Sequence, residues 1–493
     1  MPSFFNEAIA ALRVRGIPAH VVGGAVRDLL LGRKPADLDV TISGPSRPVA
    51  VELAAALNAH LVPMDEERGH YRLMQRIGSG WVDISSDNGD LEADLSRRDF
   101  SIGALAIPVE RWPGDAHVHS SDPALLGVID PCGGLRDLRQ RIVRVVSEKN
   151  LQDDPVRLIR AVRIATQLKF RIDDATRLII RRNATSLGRS APERVRDEVY
   201  AIFSGPSTET GIRVLDALGL LDLVFPEIAE TRGITQPNSH HYWDVFEHLV
   251  HTVGRAEAVL DRRLRIFDPF IRLVPWGPEL DGYFDEVVAD GQTRTTFLRM
   301  SALLHDIAKP RSRSFDQDGR IRFLGHQEMG EEMSRHALER LRCSGKAVWH
   351  ISTMVRHHLR PSQMVPVESA DWPSKRAVYR FWRDLEGVAP DTLFLSMADH
   401  LGARGPKLDL RDWTRVAGIA GAILAAGFVT PGASKPFLLL DGNEIMAEFG
   451  LTPGPEVGLL LNMLREAEAT GQVQDHDQAL VYLRHLAQET KHQ

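Results

Sequence analysis

The stretch Val22-Gly23-Gly24-Ala25-Val26-Arg27-Asp28 decides the fold, together with Asp37-Leu38-Asp39-Val40, which follows it closely. The apolar run Ala19–Val22 predicts a short strand that enters the glycine pair, and a helix predicted over Ala25–Leu31 leaves it. Glycines let a backbone approach a phosphate closely, and a helix N-terminus offers unpaired N–H groups. These features predict a phosphate-binding turn near the start of the chain.

The second part of this stretch pairs two carboxylates. Leu38–Ile42 predicts a strand, and residues two apart on a strand share a face, so Asp37 and Asp39 should lie side by side. Carboxylate oxygens suit Mg²⁺ carrying a nucleoside triphosphate, and two such ions can activate a hydroxyl and stabilise leaving pyrophosphate. Asp83, on the predicted strand Trp81–Ser85, is either a third carboxylate and base or an edge-strand charge.

The pattern changes along the chain. The first 150 residues mix strands with helices such as Phe4–Arg15, and Tyr71–Ile77 predicts a further strand. From about Asp153 onwards the apolar residues recur at helical spacing. Breaks are predicted at residues 237–239 and 431–433, and a long connection over residues 263–294. The fold class predicted is α+β, a small mixed-sheet head followed by a helical body.

Composition excludes several classes of protein. The 493 residues carry a net charge of −6 and predict two to four domains. No apolar run approaches a membrane span, and the N-terminus predicts no secretory signal. Cys132 and Cys343 are too few for a cysteine zinc cluster, so we expect a reducing cytoplasm. Residues 134–198 hold 16 Lys and Arg against 9 Asp and Glu, which indicates either a polyanion-binding surface or a solvated helical face.

Four later motifs follow the first one in order. They are Arg97-Arg98-Asp99-Phe100, the run Asp130–Leu138, the run Asp153–Ala161 and Glu193-Arg194-Val195-Arg196-Asp197-Glu198. With the glycine pair and the two aspartates, they resemble the motifs of class II tRNA nucleotidyltransferases and bacterial poly(A) polymerases, within the polymerase-β-like superfamily. Gly103 stands where that family usually has Asn, and Asp153 where it usually has Glu. Both departures could loosen nucleotide choice.

The resemblance implies roles for individual residues. Asp37 and Asp39 would hold Mg²⁺, with Asp83 as a further catalytic candidate. The remaining candidates would bind the incoming nucleotide: Gly24, Arg27 and Asp28 at the triphosphate, Arg98 and Asp99 at the ribose, Asp154 and Arg157 at the base edge, and Arg160 and Arg163 on the adjoining basic face. Asp154 and Arg157 are three apart at a predicted helix start and should therefore share a face.

The body carries a second constellation of histidines and aspartates. Such side chains, converging from several helices, can hold one or two divalent metals and activate water. Their order resembles that of HD phosphohydrolase domains, including two extra histidines of the two-metal members. The resemblance implies a transition metal such as Ni²⁺ or Mn²⁺, with His357 and His358 as alternatives at one position. The predicted ligands are His248, His305, Asp306, His326, His357 and Asp399.

Together the two resemblances predict an enzyme of four parts. These are a nucleotidyltransferase head over residues 1–146, a helical neck over 147–235, an HD domain over 236–405 and a helical tail over 406–493. The predicted reaction is template-independent addition of nucleotides from CTP and ATP to the 3′ end of tRNA, with phosphohydrolase activity in the HD domain. The alternatives are a poly(A) polymerase and an HD phosphohydrolase with a nucleotide-sensing head.

The extent of addition is a separate question. Only 12 residues, Ser85–Ser96, separate the Asp83 strand from Arg97. Relatives that complete the CCA end usually carry a longer loop there, which acts as a lever when the pocket switches from CTP to ATP. A short connection has less reach, which favours addition of the two cytidines alone. Addition of the whole CCA end is the alternative.

Overall fold

The computed structural model describes residues 4–35, 37–76, 80–113, 122–236, 241–364, 372–428 and 439–490. The chain divides into two compact units, Met1–Pro206 with Arg213–Val224, and Ser207–Ile212 with Phe225–Gln493. The first unit holds the predicted head and most of the predicted neck. The second unit holds the predicted HD domain and tail, together with residues 207–212 and 225–235 of the predicted neck. The breaks predicted at 237–239 and 431–433 lie outside the described residues.

A six-stranded mixed sheet forms the centre of the first unit. Its order is β3-β4-β5-β2-β1-β6, and all neighbours are antiparallel except β2 and β5, which are parallel. The strands are β1 (Ala19–Val22), β2 (Leu38–Ile42), β3 (His60–Asp65), β4 (His70–Met74), β5 (Trp81–Ser86) and β6 (Ala106–Pro108). A parallel two-stranded pair follows, β7 (Ile142–Val143) and β8 (Arg171–Ile172).

Helices cover this sheet and form most of the rest of the first unit. They are α1 (Phe4–Val14), α2 (Gly24–Leu30), α3 (Ser46–Ala56), α4 (Leu91–Ser96), α5 (Pro123–Leu126), α6 (Gly134–Gln140), α7 (Glu148–Asp153), α8 (Arg157–Leu168), α9 (Asp174–Asn183), α10 (Pro192–Phe203), α11 (Thr208–Ala217), whose first turn belongs to the second unit, and α12 (Leu221–Val224). Buried Val21, Val40 and Ile84 place the core on the central strands.

The described part of the second unit is helical apart from two short hairpins, β9 (Val287–Ala289) with β10 (Gln292–Thr293) and β11 (Arg313–Phe315) with β12 (Ile321–Phe323). The helices are α13 (Pro226–Ala229), α14 (Val245–Leu260), α15 (Pro269–Arg272), α16 (Arg294–Leu304), α17 (Lys309–Ser312), α18 (His326–Arg340), α19 (Gly345–His357), α20 (Arg360–Gln363), α21 (Lys375–Asp384), α22 (Ala389–Ala403), α23 (Leu410–Phe428), α24 (Gly442–Phe449), α25 (Pro455–Thr470) and α26 (His476–Thr490). Helices α14, α16, α19 and α22 pack together as an inner bundle. No described helix is both long and apolar enough to cross a membrane.

The α+β class is confirmed. β1 enters the glycine pair where a strand was predicted, and α2, which leaves the pair, begins and ends one residue before the predicted helix. Two strands of the six-stranded sheet were not predicted. β3 contains Pro63, which cannot donate to a neighbouring strand, and it is accommodated because β3 is an edge strand. β6 lies at the other edge and has only three residues, too few for a periodic signal. The strand predicted over Tyr71–Ile77 begins at His70 and ends at Met74.

Candidate functional site

The strand order gathers three aspartates of the head. In the parallel pair β2–β5, Asp39 lies directly beside Asp83, and Asp37 immediately precedes β2. Burial raises the pKa of Asp39 to about 6, with a further contribution from the charge of Asp37. Burial and the neighbouring Asp83 also raise the pKa of Asp37. The two predicted ligands therefore lie in a concentration of negative charge that a divalent cation would stabilise.

The glycine pair permits a close approach of two charged groups. Gly23 has a φ of +76°, and a Cβ at this position would lie 2.7 Å from Arg98 Nη1 and 3.1 Å from Asp39 Oδ2. A side chain here would therefore be strained and would displace both groups. Gly24 differs, because a Cβ there would meet Arg27 alone, no closer than 3.6 Å. Gly23 is the position of the pair that the geometry requires to be glycine.

Asp83 is engaged in an ion pair. Arg72, opposite it on β4, donates from Nε and Nη2 to the two oxygens of Asp83, each at 2.7 Å. The Arg72 guanidinium also lies over the Trp81 ring, 5.0 Å from its centroid. Both oxygens of the third carboxylate thus accept hydrogen bonds from an arginine that the sequence did not single out. The register that brings Arg72 opposite Asp83 cannot be read from the sequence alone.

The other residues predicted at the triphosphate and ribose differ in whether their side chains already have hydrogen-bond partners within the protein. Arg27 donates to both oxygens of the adjacent Asp28, at 2.8 and 3.0 Å, so these two side chains pair with each other. Arg98 Nε is buried and has no hydrogen-bond partner among the described residues. An unpaired guanidinium N–H beside the aspartates is a donor suited to a phosphate or ribose oxygen. Asp99 accepts from the backbone N–H of Phe100 at 2.8 Å.

Asp154 and Arg157 do not share a helix. α7 ends at Asp153 and α8 begins at Arg157, so Asp154 lies in the turn between them. Arg157 Nε is 3.4 Å from Asp154 Oδ2, while Arg194 of α10 donates to both Asp154 oxygens, at 2.9 and 2.8 Å. Burial opposes ionisation of Asp154, but the bonds from Arg194 lower its pKa below the ordinary value. The predicted helix start was wrong, and the turn brings the pair together instead.

Arg160 and Arg163 have acidic partners within the first unit. Arg160 donates to Glu198 at 2.7 Å and to Asp99 at 3.2 Å, and Arg163 donates to the other Glu198 oxygen at 2.6 Å. These bonds tie α8 to α10 and to the Arg-Arg-Asp-Phe motif. Elsewhere in the basic segment, Arg144 bonds to Asp137 and Asp173. Much of the positive charge of residues 134–198 is thus compensated within the segment.

One cleft joins these groups. Its volume is about 2470 Å³, and it is lined by both parts of the site: Asp37, Asp39 and Arg98 from the head, and Asp154, Arg157 and Arg194 from the neck. The arrangement offers a carboxylate pair at one place and hydrogen-bonding groups for a base edge at another. It is large enough to admit a nucleoside triphosphate together with the end of an acceptor chain.

The second unit contains a buried cluster of imidazoles around Asp306. Nε2 of His248 and Nε2 of His305 lie 3.3 and 3.2 Å from Asp306 Oδ2. Nε2 of His326 and Nε2 of His358 lie 3.4 and 3.6 Å from the other oxygen, Oδ1. Asp399 Oδ1 is 3.1 Å from His248 Nε2. Asp306 therefore faces two groups of potential metal ligands, one with each oxygen.

Local backbone contacts orient these imidazoles. Nδ1 of His305, His326 and His358 lies 3.0, 2.6 and 2.6 Å from the carbonyl oxygen three residues earlier in each case. A proton on Nδ1 that is donated to a carbonyl leaves the Nε2 lone pair directed into the cluster, which is the form that binds a metal. Burial lowers the pKa of His358 to about 3, which favours its neutral form.

The cluster differs from the predicted ligand set at one position. His358, which is 1% exposed, takes part, whereas the predicted His357 does not belong to the ligand groups found among the described residues. Lys309 was not predicted, although it lies three residues after Asp306, and its Nζ is 2.5 Å from Asp306 Oδ2. Gln236 accepts from the same Nζ at 2.7 Å. No spacing rule signals Gln236, since it precedes the predicted domain's first helix.

The donors of both sites fit divalent metals. In the second unit, Asp306 Oδ1 and His326 Nε2 are buried and have no hydrogen-bond partner among the described residues. Buried polar atoms without partners are costly, and an ion between them would satisfy both. Mixed imidazole and carboxylate donors suit a transition metal, whereas the all-carboxylate pair of the head suits Mg²⁺.

Three family models match the chain. The poly(A) polymerase head domain matches residues 19–84 and 75–144. A model described as a probable RNA- and SrmB-binding site of polymerase A matches residues 169–231, and the HD domain model matches residues 281–403.

Among the relatives that match along almost the whole chain are two tRNA nucleotidyltransferases. The A-adding tRNA nucleotidyltransferase of Deinococcus radiodurans is 37% identical, over 96% of each chain. The CC-adding tRNA nucleotidyltransferase of Thermus thermophilus is 35% identical, over 94% of this chain and 93% of its own. Among solved structures, a CCA-adding enzyme with ATP has a TM-score of 0.60 at 20% identity, covering 97% of this chain and 91% of its own. A Thermotoga maritima CCA-adding enzyme complexed with tRNA has a TM-score of 0.57 at 19% identity, covering 98% and 94%.

Proposed function

Since the chain belongs to the tRNA nucleotidyltransferase family, we propose that it adds nucleotides from CTP or ATP to the 3′ end of tRNA and releases pyrophosphate. The observation that carries this proposal is the Asp37/Asp39 pair beside Gly23 and Arg98, in a chain matched almost throughout by tRNA nucleotidyltransferases. Such relatives favour this reaction over poly(A) synthesis. A retained carboxylate pair favours it over a head that only senses nucleotides. With tRNA, CTP and ATP as its substrates, we propose that the reaction takes place in the cytoplasm.

Each residue of the head site would have a separate role in nucleotidyl transfer. Asp37 and Asp39 would hold Mg²⁺, which when bound supplies the charge that activates the tRNA hydroxyl and stabilises the leaving pyrophosphate. Arg98, whose Nε is buried without a hydrogen-bond partner among the described residues, would bind a phosphate or ribose oxygen. Arg72 binds both oxygens of Asp83 beside Asp39, so Asp83 would act by positioning and charge. Gly23 keeps the turn open for the triphosphate.

The neck residues would choose the nucleotide. A base edge needs one acceptor and several donors at fixed positions, and Asp154 with Arg157 supplies both in the cleft. Arg194 holds the Asp154 carboxylate by two bonds and thereby fixes its orientation. Arg160, anchored by Glu198, holds Asp99 in the same cleft. A protein surface of this kind can replace a nucleic-acid template.

The relatives favour partial addition of the CCA end. Three relatives that match almost the whole chain each have a name for one part of the CCA end, one A-adding and two CC-adding. The connection Ser85–Ser96 is also short and ordered. It contains the end of β5 and all of α4. Buried Asp87, which lies between these two elements, accepts hydrogen bonds from the Ser43 hydroxyl and the Gly89 N–H. A connection fixed in this way has little freedom to act as a lever.

Three tRNA substrates test both the reaction and its extent. The full chain is supplied with tRNA that ends before the CCA, after the first C or after the second C, with CTP, ATP or both, and the 3′ ends are sequenced. Products ending in CC identify a CC-adding enzyme, and A added only to tRNA ending in CC identifies an A-adding enzyme. Efficient CCA synthesis would contradict partial addition. Long A tails would identify a poly(A) polymerase, and no incorporation with Mg²⁺ would contradict the whole proposal.

We propose a second activity for the HD domain, metal-dependent hydrolysis of phosphate esters. The supporting observation is that Asp306 faces His248 and His305 with one oxygen and His326 and His358 with the other. These residues would hold one or two ions such as Ni²⁺ or Mn²⁺, which supply an activated water when bound. Lys309, held by Gln236, brings a positive charge to the same buried place, where it would attract a phosphate.

A further inference from the structure

A second buried polar cluster lies in the inner bundle of the second unit, outside the metal site. Its centre is Asp391 at the start of α22, which is completely buried. The Tyr283 hydroxyl donates to Asp391 Oδ2 at 2.5 Å, and Arg294 Nη1 donates to the same oxygen at 3.0 Å. His350 Nε2 lies 3.3 Å from Oδ1. Asp391 is therefore the shared partner of groups from three helices or their flanking segments.

Arg294 is itself fully engaged. It donates to Glu286 at 2.8 Å and to the Gly387 carbonyl at 2.7 Å, and its guanidinium lies over the Tyr283 ring. It is only 8% exposed. A buried ion pair stabilises a fold weakly, because desolvation of the charges offsets their attraction. The best-attested use of such a pair is to fix one arrangement of the elements that it joins.

The elements joined by this cluster are the helices that carry the metal site. Arg294 begins α16, and His305 and Asp306 follow the end of that helix. His350 lies on α19, which His358 follows, and Asp391 lies on α22, which also carries Asp399. The ends of α16 and α19 keep helical dihedral angles through His305 and His358. Each of the three helices, with the residues that directly follow it, thus contributes at least one residue to each cluster.

Along each helix, the residue of the Asp391 cluster and the residue of the metal site are separated by close to a whole number of turns. Arg294 and His305 are 11 residues apart, about three turns, while His350 and His358, and likewise Asp391 and Asp399, are 8 apart, about two turns. Residues at these separations lie near one stripe of a helix. At roughly 1.5 Å per residue, the two clusters are about 12 to 17 Å apart along the helices. They form two polar layers of the same interior face.

We infer that Asp391, with Arg294 and His350, is a positioning cluster that sets the relative placement of α16, α19 and α22 and so assembles the metal layer. This inference rests on the metal site proposed for the HD domain. A helix that slides or rotates by a fraction of a turn moves its ligand by more than a coordination sphere tolerates. The cluster prevents that movement from the far ends of the helices.

The test compares Asp391→Asn with a matched control in the full chain. Asp391→Asn keeps the side-chain volume but removes the charge that balances Arg294. Glu466→Gln is the control, because Glu466 is also a buried carboxylate, bonded to Arg376 and Arg380, but joins α21 to α25 rather than the helices of the metal site. Mn²⁺ binding is measured by electron paramagnetic resonance in excess Mg²⁺, which would occupy the Asp37/Asp39 pair of the head, and well below the melting temperature of each variant.

We expect Asp391→Asn to weaken Mn²⁺ binding by about tenfold and Glu466→Gln to leave it unchanged. Hydrolysis of bis(p-nitrophenyl) phosphate by Asp391→Asn should recover as Mn²⁺ is raised, which a merely less stable protein would not show. Wild-type Mn²⁺ affinity in a folded Asp391→Asn variant would overturn the inference. If that variant does not fold, Arg294→Lys is read in the same way. Failure of the wild-type chain to bind Mn²⁺ would instead overturn the proposed metal site.

Discussion

The two candidate metal sites differ in how exposed they are and in how many metal ligands the protein supplies. In the head, Asp37 and Asp39 lie at the edge of a large cleft, and the chain supplies few ligands besides carboxylates. In the second unit, imidazoles and carboxylates from five helices and their ends surround Asp306, and His248 and His305 are completely buried. If both hold metals as proposed, the first site would leave most of the coordination to the substrate, and the second would supply most of it from protein.

This difference matches two kinds of chemistry. Mg²⁺ retains waters and takes phosphate oxygens readily, so a site for transfer from a nucleoside triphosphate needs few protein ligands and much open space. A transition metal held by imidazoles needs fixed directions, which the backbone contacts of Nδ1 provide. The comparison predicts that a substitution in one site leaves the activity of the other site unchanged. It also predicts that small changes in side-chain shape affect the two activities to different extents.

The largest expected effect is that of Asp39→Asn. The amide keeps the shape of the side chain but removes charge from the pair, so nucleotide addition should fall by about a thousandfold. Incorporation of labelled CTP and ATP into end-trimmed tRNA measures this loss. Phosphatase activity and bound transition metal serve as the control and should not change. Near-normal incorporation would show that the pair is not the metal site.

The reciprocal change is Asp306→Asn. Because each oxygen of Asp306 faces different imidazoles, the amide should weaken both metal positions and lower phosphohydrolase activity by at least about a hundredfold. Metal content is measured by mass spectrometry of the purified protein. His357→Gln is the matched control, since His357 is outside the cluster although it neighbours His358. Equal metal in Asp306→Asn and wild type would refute the assignment, and metal loss in His357→Gln would restore the predicted ligand.

A smaller effect is expected from Gly23→Ala in the open site. The added methyl would be strained at a φ of +76° and would press on Arg98 and Asp39, so addition should fall by about tenfold to a hundredfold. Gly24→Ala is the control at the next position, where the methyl meets nothing closer than 3.6 Å, and it should cost little. Steady-state kinetics with CTP and ATP measure both. Equal effects of the two substitutions would contradict the requirement for Gly23.

These sites differ also in how far the sequence predicted them. The Asp37/Asp39 pair depends on strand period and on one turn, which are local, so the sequence located it. The ion pair of Asp83 with Arg72 depends on the register between β4 and β5, which turn type and loop length fix together, and the residue pattern alone did not give the turn type. The choice of His358 over His357 depends on how α19 ends, because a rotation of one residue exchanges a buried side chain for a partly exposed one.

The buried cluster of Asp391, Arg294 and His350 was missed for a related reason. A charged or polar residue on a helix, taken alone, is expected to be exposed. Only the packing of three helices brings these three residues together in the interior. The spacing of 8 residues before His358 and before Asp399 was present in the sequence, but it gains meaning only when the helices are known to be neighbours. Long-range packing is the information that the residue pattern lacked.

The smallest expected effect concerns nucleotide choice by the neck residues. Arg194 and Asp154 are about 52% and 20% exposed, so their ion pair is weak in free energy, and its contribution is to the orientation of the Asp154 carboxylate. Arg194→Gln should therefore change the ratio of kcat/KM for CTP and ATP by about threefold while leaving stability within measurement error. Arg182→Gln is the matched control, because Arg182 pairs with Glu148 on the neck and does not line the cleft. The ratio is measured with tRNA ending before the CCA and tRNA ending in CC. An unchanged ratio in Arg194→Gln would show that Arg157 alone orients Asp154, and the open site would then be less organised than its hydrogen bonds indicate.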